Sequence, residues 1–431
     1  MSNKKNISLN AIYTLCGNFF YGFFQWALLI VIAKLETPTT VGQYSLALAF
    51  ASPIYFFFSL QLSTVYVTDV KEEYDFLDFL YLRFVCLFAA SFLLIIASFT
   101  LRSLEQVSLL LIPISLIKIF ESIRDMIYAI WQKSESMHMM SISRVLQGTL
   151  QIVILYAILK YNGDLFLALL IVAIVSLLIT IFYDVYYGLK GYKFSKSSIC
   201  NSIGTRGNNF SESNLYILFK KSLPLGIVSA LSMLNATIPR YFLGYHSSLE
   251  ELGIFSALWS IILLISMLCI SVMQSLLPKI SRLFDTDLTN FVRLMRNLIL
   301  LSTVANCLVV IASYLWGSSF ISLIFGKEYA AYPDVFLWMM ASSILYIAAS
   351  IIGSFISATR SFQNQFIVWI FVVITSAAMC ALLIPKYRLL GAAWAYFSGC
   401  ATWLIGNQIM ISMIVRSKKE QNYQLKTQGV S

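Results

Sequence analysis

The chain has 431 residues, of which 59% are hydrophobic and 12% charged, and a formal net charge of +10. Ordinary soluble domains carry roughly 25% charged residues, so this balance excludes a water-soluble globular protein. The positive charge reads as topology rather than nucleic-acid binding. About 20 of the 30 Lys and Arg residues fall in segments expected on one side of a membrane, about 6 on the other and about 4 inside spans, the asymmetry that orients helices during insertion.

The polar head, Met1 to Asn10 with Lys4 and Lys5, precedes an apolar run from Ala11 to Ala33. That run is longer than a signal-peptide core and lacks a convincing small-residue cleavage site, so it is expected to stay as the first span. A helix of about 20 apolar residues crosses the oily core of a bilayer. On that criterion spans are expected at 11–33, 41–68, 76–99, 107–131, 142–159, 165–188, 220–243, 252–277, 294–317, 333–357, 363–384 and 390–414. Twelve spans put both termini on one side, and the basic head and tail (Arg416, Lys418, Lys419, Lys426) assign that side to the cytoplasm. The acidic loop Asp69 to Asp78 also falls inside, where carboxylates weigh little.

The longest connection, Lys190 to Leu215, is basic and rich in Ser, Asn and Gly, and it falls at the midpoint. The expected organisation is a six-helix lobe over 1–189, a cytoplasmic linker over 190–216 that can touch anionic lipid, and a second six-helix lobe over 217–431. Weak repeats agree. Val41-Gly42-Gln43-Tyr44-Ser45 and Leu252-Gly253-Ile254-Phe255-Ser256 open the second span of each half, Lys133-Ser134 parallels Arg360-Ser361, and Lys160-Tyr161 parallels Lys386-Tyr387. With six spans per half, both copies share one orientation.

The fourth span carries four ionisable side chains. At 100° per residue Lys118, Glu121, Arg124 and Asp125 lie within an arc of about 120°, opposite Ile119, Phe120, Ile123, Met126, Ile127 and Ile130. A charge at membrane depth costs about 2.5–3.5 kcal/mol on insertion scales, and such groups usually face a wet cavity. Two compatible readings stand: an internally paired cluster, since Lys118–Glu121 and Glu121–Arg124 are at i,i+3 spacing, or a water-lined path. Arg83, Arg144 and Arg240 can snorkel to headgroups, and Asp184 is expected at the interface. Asn18, Tyr21 and Gln25 share a face of the first span, Gln147 and Gln151 one of the fifth, and Ser342, Tyr346, Ser350, Gly353, Ser354 and Ser357 mark the tenth. Small and polar residues also pack helices together.

Seven cysteines show no metal-ligand spacing, and His138 and His246 lie far apart and outside any zinc motif. Neither a metal nor a cofactor is expected. No phosphate-binding Gly-x-x-x-x-Gly-Lys-Ser/Thr loop and no nucleophile–histidine pairing stand out.

Leu223-Pro224-Leu225-Gly226 opening the seventh span, Leu252-Gly253-Ile254-Phe255-Ser256, Leu277-Pro278-Lys279-Ile280-Ser281 closing the eighth, and Ile324-Phe325-Gly326-Lys327-Glu328-Tyr329 carry a family likeness. With them the chain resembles the Wzx-type O-antigen/polysaccharide flippases of the multidrug/oligosaccharidyl-lipid/polysaccharide (MOP) exporter superfamily. The resemblance implies a MATE-like parallel repeat of two lobes around a central cavity that opens alternately to each side. It implies no enzyme, but a flippase moving undecaprenyl-pyrophosphate-linked repeat units of O-antigen or capsule from the inner to the outer leaflet of a bacterial inner membrane. Its partners would be that glycan, membrane lipids, and polymerase and chain-length proteins of the same pathway. One departure stands: many relatives place an acidic residue before the arginine late in the seventh span, and here Pro239 precedes Arg240.

A pyrophosphate head is strongly anionic, and buried cations would offset its lost hydration. Lys118 and Arg124 are the leading head-group candidates, followed by Arg240 and Arg83. Glu121 and Asp125 are candidates for ion coupling, and Asn18, Gln25, Arg144, Gln147 and Gln151 for polar lining. A cation-coupled multidrug exporter of the same fold is the first rival, and a membrane polysaccharide polymerase or ligase the second.

Overall fold

The computed structural model describes residues 2–69, 74–100, 105–134, 136–188, 212–359 and 365–427, all helix or short connections, with no strand among them. In chain order the helices are α1 (Ser2–Leu35), α2 (Pro38–Ser59), α3 (Leu62–Thr68), α4 (Phe76–Thr100), α5 (Glu105–Lys133), α6 (Met137–Asn162), α7 (Leu165–Ile179), α8 (Glu212–His246), α9 (Leu249–Thr286), α10 (Leu288–Ile324), α11 (Pro333–Ala358) and α12 (Gln365–Thr427). Among the described residues ten helical stretches are long and apolar enough to cross a membrane, and α1 adds the shorter apolar stretch Phe19–Leu35. Large apolar side chains stand outward, among them Phe88 at 77%, Leu323 at 74% and Phe182 at 72% exposure. Soluble monomers rarely expose apolar surface on this scale, and a multi-pass membrane protein requires it.

Short polar motifs set the reversals. Thr37 accepts from the Thr40 N–H with Pro38 just inside α2, and Asp164 accepts from the N–H groups of Phe166 and Leu167 to open α7. Ser248 accepts from the Glu251 N–H to open α9, and Asp287 does the same for Asn290 at α10. Each satisfies donors that a helix start leaves without partners. Gly163 ends α6 at φ 64°, a left-handed position that glycine takes without steric cost.

Two features were not expected from the sequence. The single span foreseen over 41–68 is interrupted at Leu60 and Gln61, both left-handed at φ 47° and 50°. Such a conformation costs an L-residue roughly 1–2 kcal/mol, and neighbours offset it here. Leu60 is fully buried, Gln61 donates to Ser229 Oγ at 2.9 Å, and a guanidinium from α4 meets the exposed end of α2. Gly226 belongs to the same contact: a Cβ there would fall 2.7 Å from the Phe57 carbonyl oxygen. Second, α7 runs on through a π-helical turn, Thr180–Val185, which carries Asp184.

The helices gather into two compact units, 1–237 and 238–431. In the first, α1 packs along α6, α5 against α2 and α7, and α4 against α2 and α5. In the second, α11 is central and packs on α9, α10 and α12. The last helix is a hairpin. Arg388 (φ 48°, ψ −122°) breaks it three residues after Pro385, and the arms 365–387 and 389–427 fold back with Val368 over Gly406 and Trp369 on Trp403. Residues 189–211, most of the expected linker, lie outside the described residues.

Candidate functional site

The polar face of α5 points into the first unit. Lys118 Nζ donates to Glu121 Oε2 at 2.8 Å, and both side chains are about one-fifth exposed. Together with Gln25 of α1, Tyr44 of α2 and Gln151 of α6 they line a cavity of about 30 Å³. That volume holds about one water. Lys118 and Glu121 are therefore paired, and they front a narrow cavity. Gln151 is held in place by donating to Ser176 Oγ at 3.2 Å, whereas the buried Gln147 Nε2 has no partner among the described residues. The side chain of Asn18 lies outside the described residues.

Arg124 lies about one turn beyond Glu121 on α5, and Arg144 comes from α6. Arg124 is 2% exposed, and its Nη1 has no partner among the described residues. Arg144 places its guanidinium over two rings, 5.7 Å from Tyr21 and 5.3 Å from Tyr128, a cation–π geometry. Tyr128 and Ser143 join hydroxyls at 2.7 Å behind them.

Asp184, expected near a span end, is held inside the protein. It is wholly buried, close to the Ser143 hydroxyl and with no ion pair among the described residues. The physical reason is the π-turn, which inserts an extra residue per turn and re-aims the side chains that follow. Sequence reading finds only a carboxylate near a span end, since nothing in Ile181-Phe182-Tyr183-Asp184-Val185 announces a π-turn.

Arg83 and Arg240 do not snorkel. Arg83, 1% exposed, donates from Nη1 to the Ser59 carbonyl oxygen (3.1 Å) and Ser122 Oγ (3.2 Å), and from Nη2 to Asp125 Oδ2 (2.9 Å) and Met126 Sδ (3.4 Å). It ties α2, α4 and α5 together and shows no open face to a head group in this conformation. Asp125 on its far side remains 47% exposed. Arg240 belongs to the second unit, where its guanidinium sits 4.4 Å from the centre of the Trp259 ring at 9% exposure.

A body of many long apolar helices, with buried, ion-paired polar groups on one of them, defines a polytopic membrane protein. Residues 7–284 match the polysaccharide biosynthesis protein family, and the chain belongs to that family. It is 31% identical over 390 residues to the capsular polysaccharide biosynthesis protein CapF of Staphylococcus aureus, covering 89% of this chain and 94% of that one. Its fold is similar to the lipid II flippase MurJ in an inward closed conformation (TM-score 0.70, 14% identity, 94% of this chain and 87% of that one). It is also similar to a MOP superfamily transporter from Pyrococcus furiosus (TM-score 0.67, 14% identity, 96% of each). A MATE transporter in its bent conformation matches as well (TM-score 0.63, 15% identity, 97% and 96%).

Proposed function

We propose that this chain is a flippase for undecaprenyl-pyrophosphate-linked oligosaccharide repeat units, of capsule or O-antigen, moving them from the cytoplasmic to the outer leaflet of a bacterial inner membrane by alternating access. Twelve spans in two six-helix lobes, both termini cytoplasmic, and working contacts with polymerase and chain-length proteins belong to the same reading. The kinship with CapF and the fold shared with MurJ support the class of cargo.

The observation that carries the reading is the Lys118–Glu121 pair facing an internal cavity, with the buried Arg124 a turn or two away. A pyrophosphate arriving at this face would compete with Glu121 for Lys118 through charge-assisted hydrogen bonds. Glu121, released, would hold a buried negative charge alone and would take up a cation or proton. Loading the head group and loading a coupling ion are thereby linked through one lysine. Arg124, whose Nη1 is buried without a partner among the described residues, supplies the second positive charge.

Lys118→Ala and Arg124→Ala, tested separately at matched protein levels, are expected to reduce surface glycan display severalfold. Full display in both variants would remove the head-group assignment. Drug accumulation in the same strains addresses the multidrug exporter, which would show efflux lost and glycan intact.

A further inference from the structure

We propose that a cavity between α11 and the two arms of α12 is a binding site for one uncharged sugar ring of the transported glycan, an inference that rests on the flippase reading and extends it to the saccharide. The cavity, about 200 Å³, is lined by Ser350, Ser354 and Ser357 from α11 with Gly353 between them, by Gln365 and Trp369 from the first arm, and by Trp403 and Asn407 from the second. None of these side chains is ionisable. A pyrophosphate would lose its hydration here with no counter-charge, so the cavity selects against the head group and for a neutral ligand.

The chemistry of the walls matches a pyranose, which has apolar C–H faces and a rim of hydroxyls. The two indoles lie 4.9 Å apart between centroids with their planes 32° apart, and Tyr346 braces Trp403 edge-on at 5.3 Å. They offer flat apolar surface held rigid by packing. Beside them stand amides and hydroxyls that both donate and accept. Asn407, 2% exposed, donates from Nδ2 to the Ala349 carbonyl oxygen at 2.9 Å. Gln365 Nε2 reaches Ser357 Oγ at 3.4 Å and the Gly353 carbonyl oxygen at 3.5 Å. Those bonds are long, and a sugar hydroxyl would replace them with shorter ones.

A row of small residues on a membrane helix ordinarily marks close packing. Here the row fronts open space beside the Asn407 and Gln365 amides. Ligand pockets for drug-sized molecules run about 300–1,000 Å³, so this smaller volume fits a single ring rather than an oligosaccharide. Ser357 lies in the last turn of α11 and Gln365 opens α12, so the cavity sits at the end of α11 and the start of α12. In the proposed topology that end is cytoplasmic, where lipid-linked glycan is assembled and loaded.

The test uses the full-length protein in detergent, labelled with 5-fluorotryptophan at its 8 tryptophans, with the Trp369 and Trp403 fluorine resonances assigned through Trp369→Phe and Trp403→Phe. Methyl glucoside and methyl N-acetylglucosaminide are titrated into the millimolar range, with inorganic pyrophosphate as the anionic control. The two resonances are expected to shift saturably with sugar and not with pyrophosphate, and Ser354→Leu, which fills the cavity, abolishes the shift while Ser354→Ala retains it. Should Ser354→Leu lose its fold, Gln365→Ala removes the rim amide without adding bulk and is expected to weaken the response severalfold. Absence of a saturable shift, or a shift that survives these variants, overturns the inference. In cells, normal glycan display by a stable Ser354→Leu variant overturns the sugar site and leaves the flippase reading standing. Unchanged display on deleting the gene, with the sugar shifts intact, overturns the flippase reading and leaves a sugar site on another pathway.

Discussion

Replacing Arg83 with Met separates architecture from transport. The side chain makes four polar contacts, to the Ser59 carbonyl oxygen, Ser122, Asp125 and Met126, from a 1% exposed position. A lost hydrogen bond from a charged group costs about 1.5–3 kcal/mol, and the Ser59 carbonyl at the end of α2 is left uncapped. Asp125 is 47% exposed, so water takes over much of its pairing and that share is held to about 1 kcal/mol or less. Methionine keeps most of the apolar volume and limits the cavity contribution. The sum is about 3 kcal/mol. For a unit of some 150–250 residues, each kcal/mol shifts the melting temperature by roughly 2–4 °C, so Arg83→Met is expected to melt about 6–12 °C below the parent in detergent. Asp125→Asn, by the same reasoning, stays within about 1 kcal/mol. Glycan display per folded molecule should remain near normal in Arg83→Met. A variant that melts like the parent but loses display would refute the structural role and return Arg83 to the head-group set.

Three further outcomes follow from the same geometry. Gly226→Ala places a Cβ 2.7 Å from the Phe57 carbonyl oxygen and 2.8 Å from Leu60 Cδ2; a net loss of about 1–2 kcal/mol, after the gain in helix propensity, is expected in thermal unfolding, and a more stable variant contradicts the close contact. Arg124 and Asp184 are both buried with no direct ion pair between them among the described residues, so a double-mutant cycle of Arg124→Met and Asp184→Leu is expected to show a coupling of about 1 kcal/mol or less; a coupling near 3 kcal/mol would contradict that separation. Asp287 caps α10, and its backbone hydrogen bonds from Asn290 hold its carboxyl below the usual carboxylate range. Its contribution is therefore present above the unfolded-state pKa and disappears as pH falls through the lower folded value, so Asp287→Asn should flatten the acid limb of the stability profile; an unchanged acid limb would contradict the cap.

The spans were legible because burial in a bilayer demands long apolar runs, and because Pro385-Lys386-Tyr387-Arg388 is polar enough to announce a reversal. The polar face of α5 was legible from the 100° spacing of Lys118, Glu121, Arg124 and Asp125. Partners across the fold were not. Arg83 and Asp125 lie 42 residues apart in sequence, and helix periodicity says nothing about which helices touch. The α2 break falls at Leu60 and Gln61 without a glycine or proline to signal it, since tertiary contacts impose the left-handed turns. Asp184 escaped for a related reason: hydropathy records depth, while a π-turn changes azimuth. In the second unit the stripe of Ser350, Ser354 and Ser357 is legible from helical spacing, but nothing in the sequence sets Trp369 and Trp403 beside it, and the space they enclose depends on how the two arms of α12 fold back on each other.

The forked shape of one guanidinium has a consequence for which substitutions this protein tolerates. Ser59 and Asp125 sit on different helices, and the planar end of Arg83 spans both at once with separate nitrogens. A lysine keeps the charge but gathers its donors at a single point, so it could serve the carbonyl or the carboxylate, not the pair. Arginine here acts as a carpenter's square, and swapping it for the other basic residue would preserve electroneutrality while letting three helices slip out of alignment.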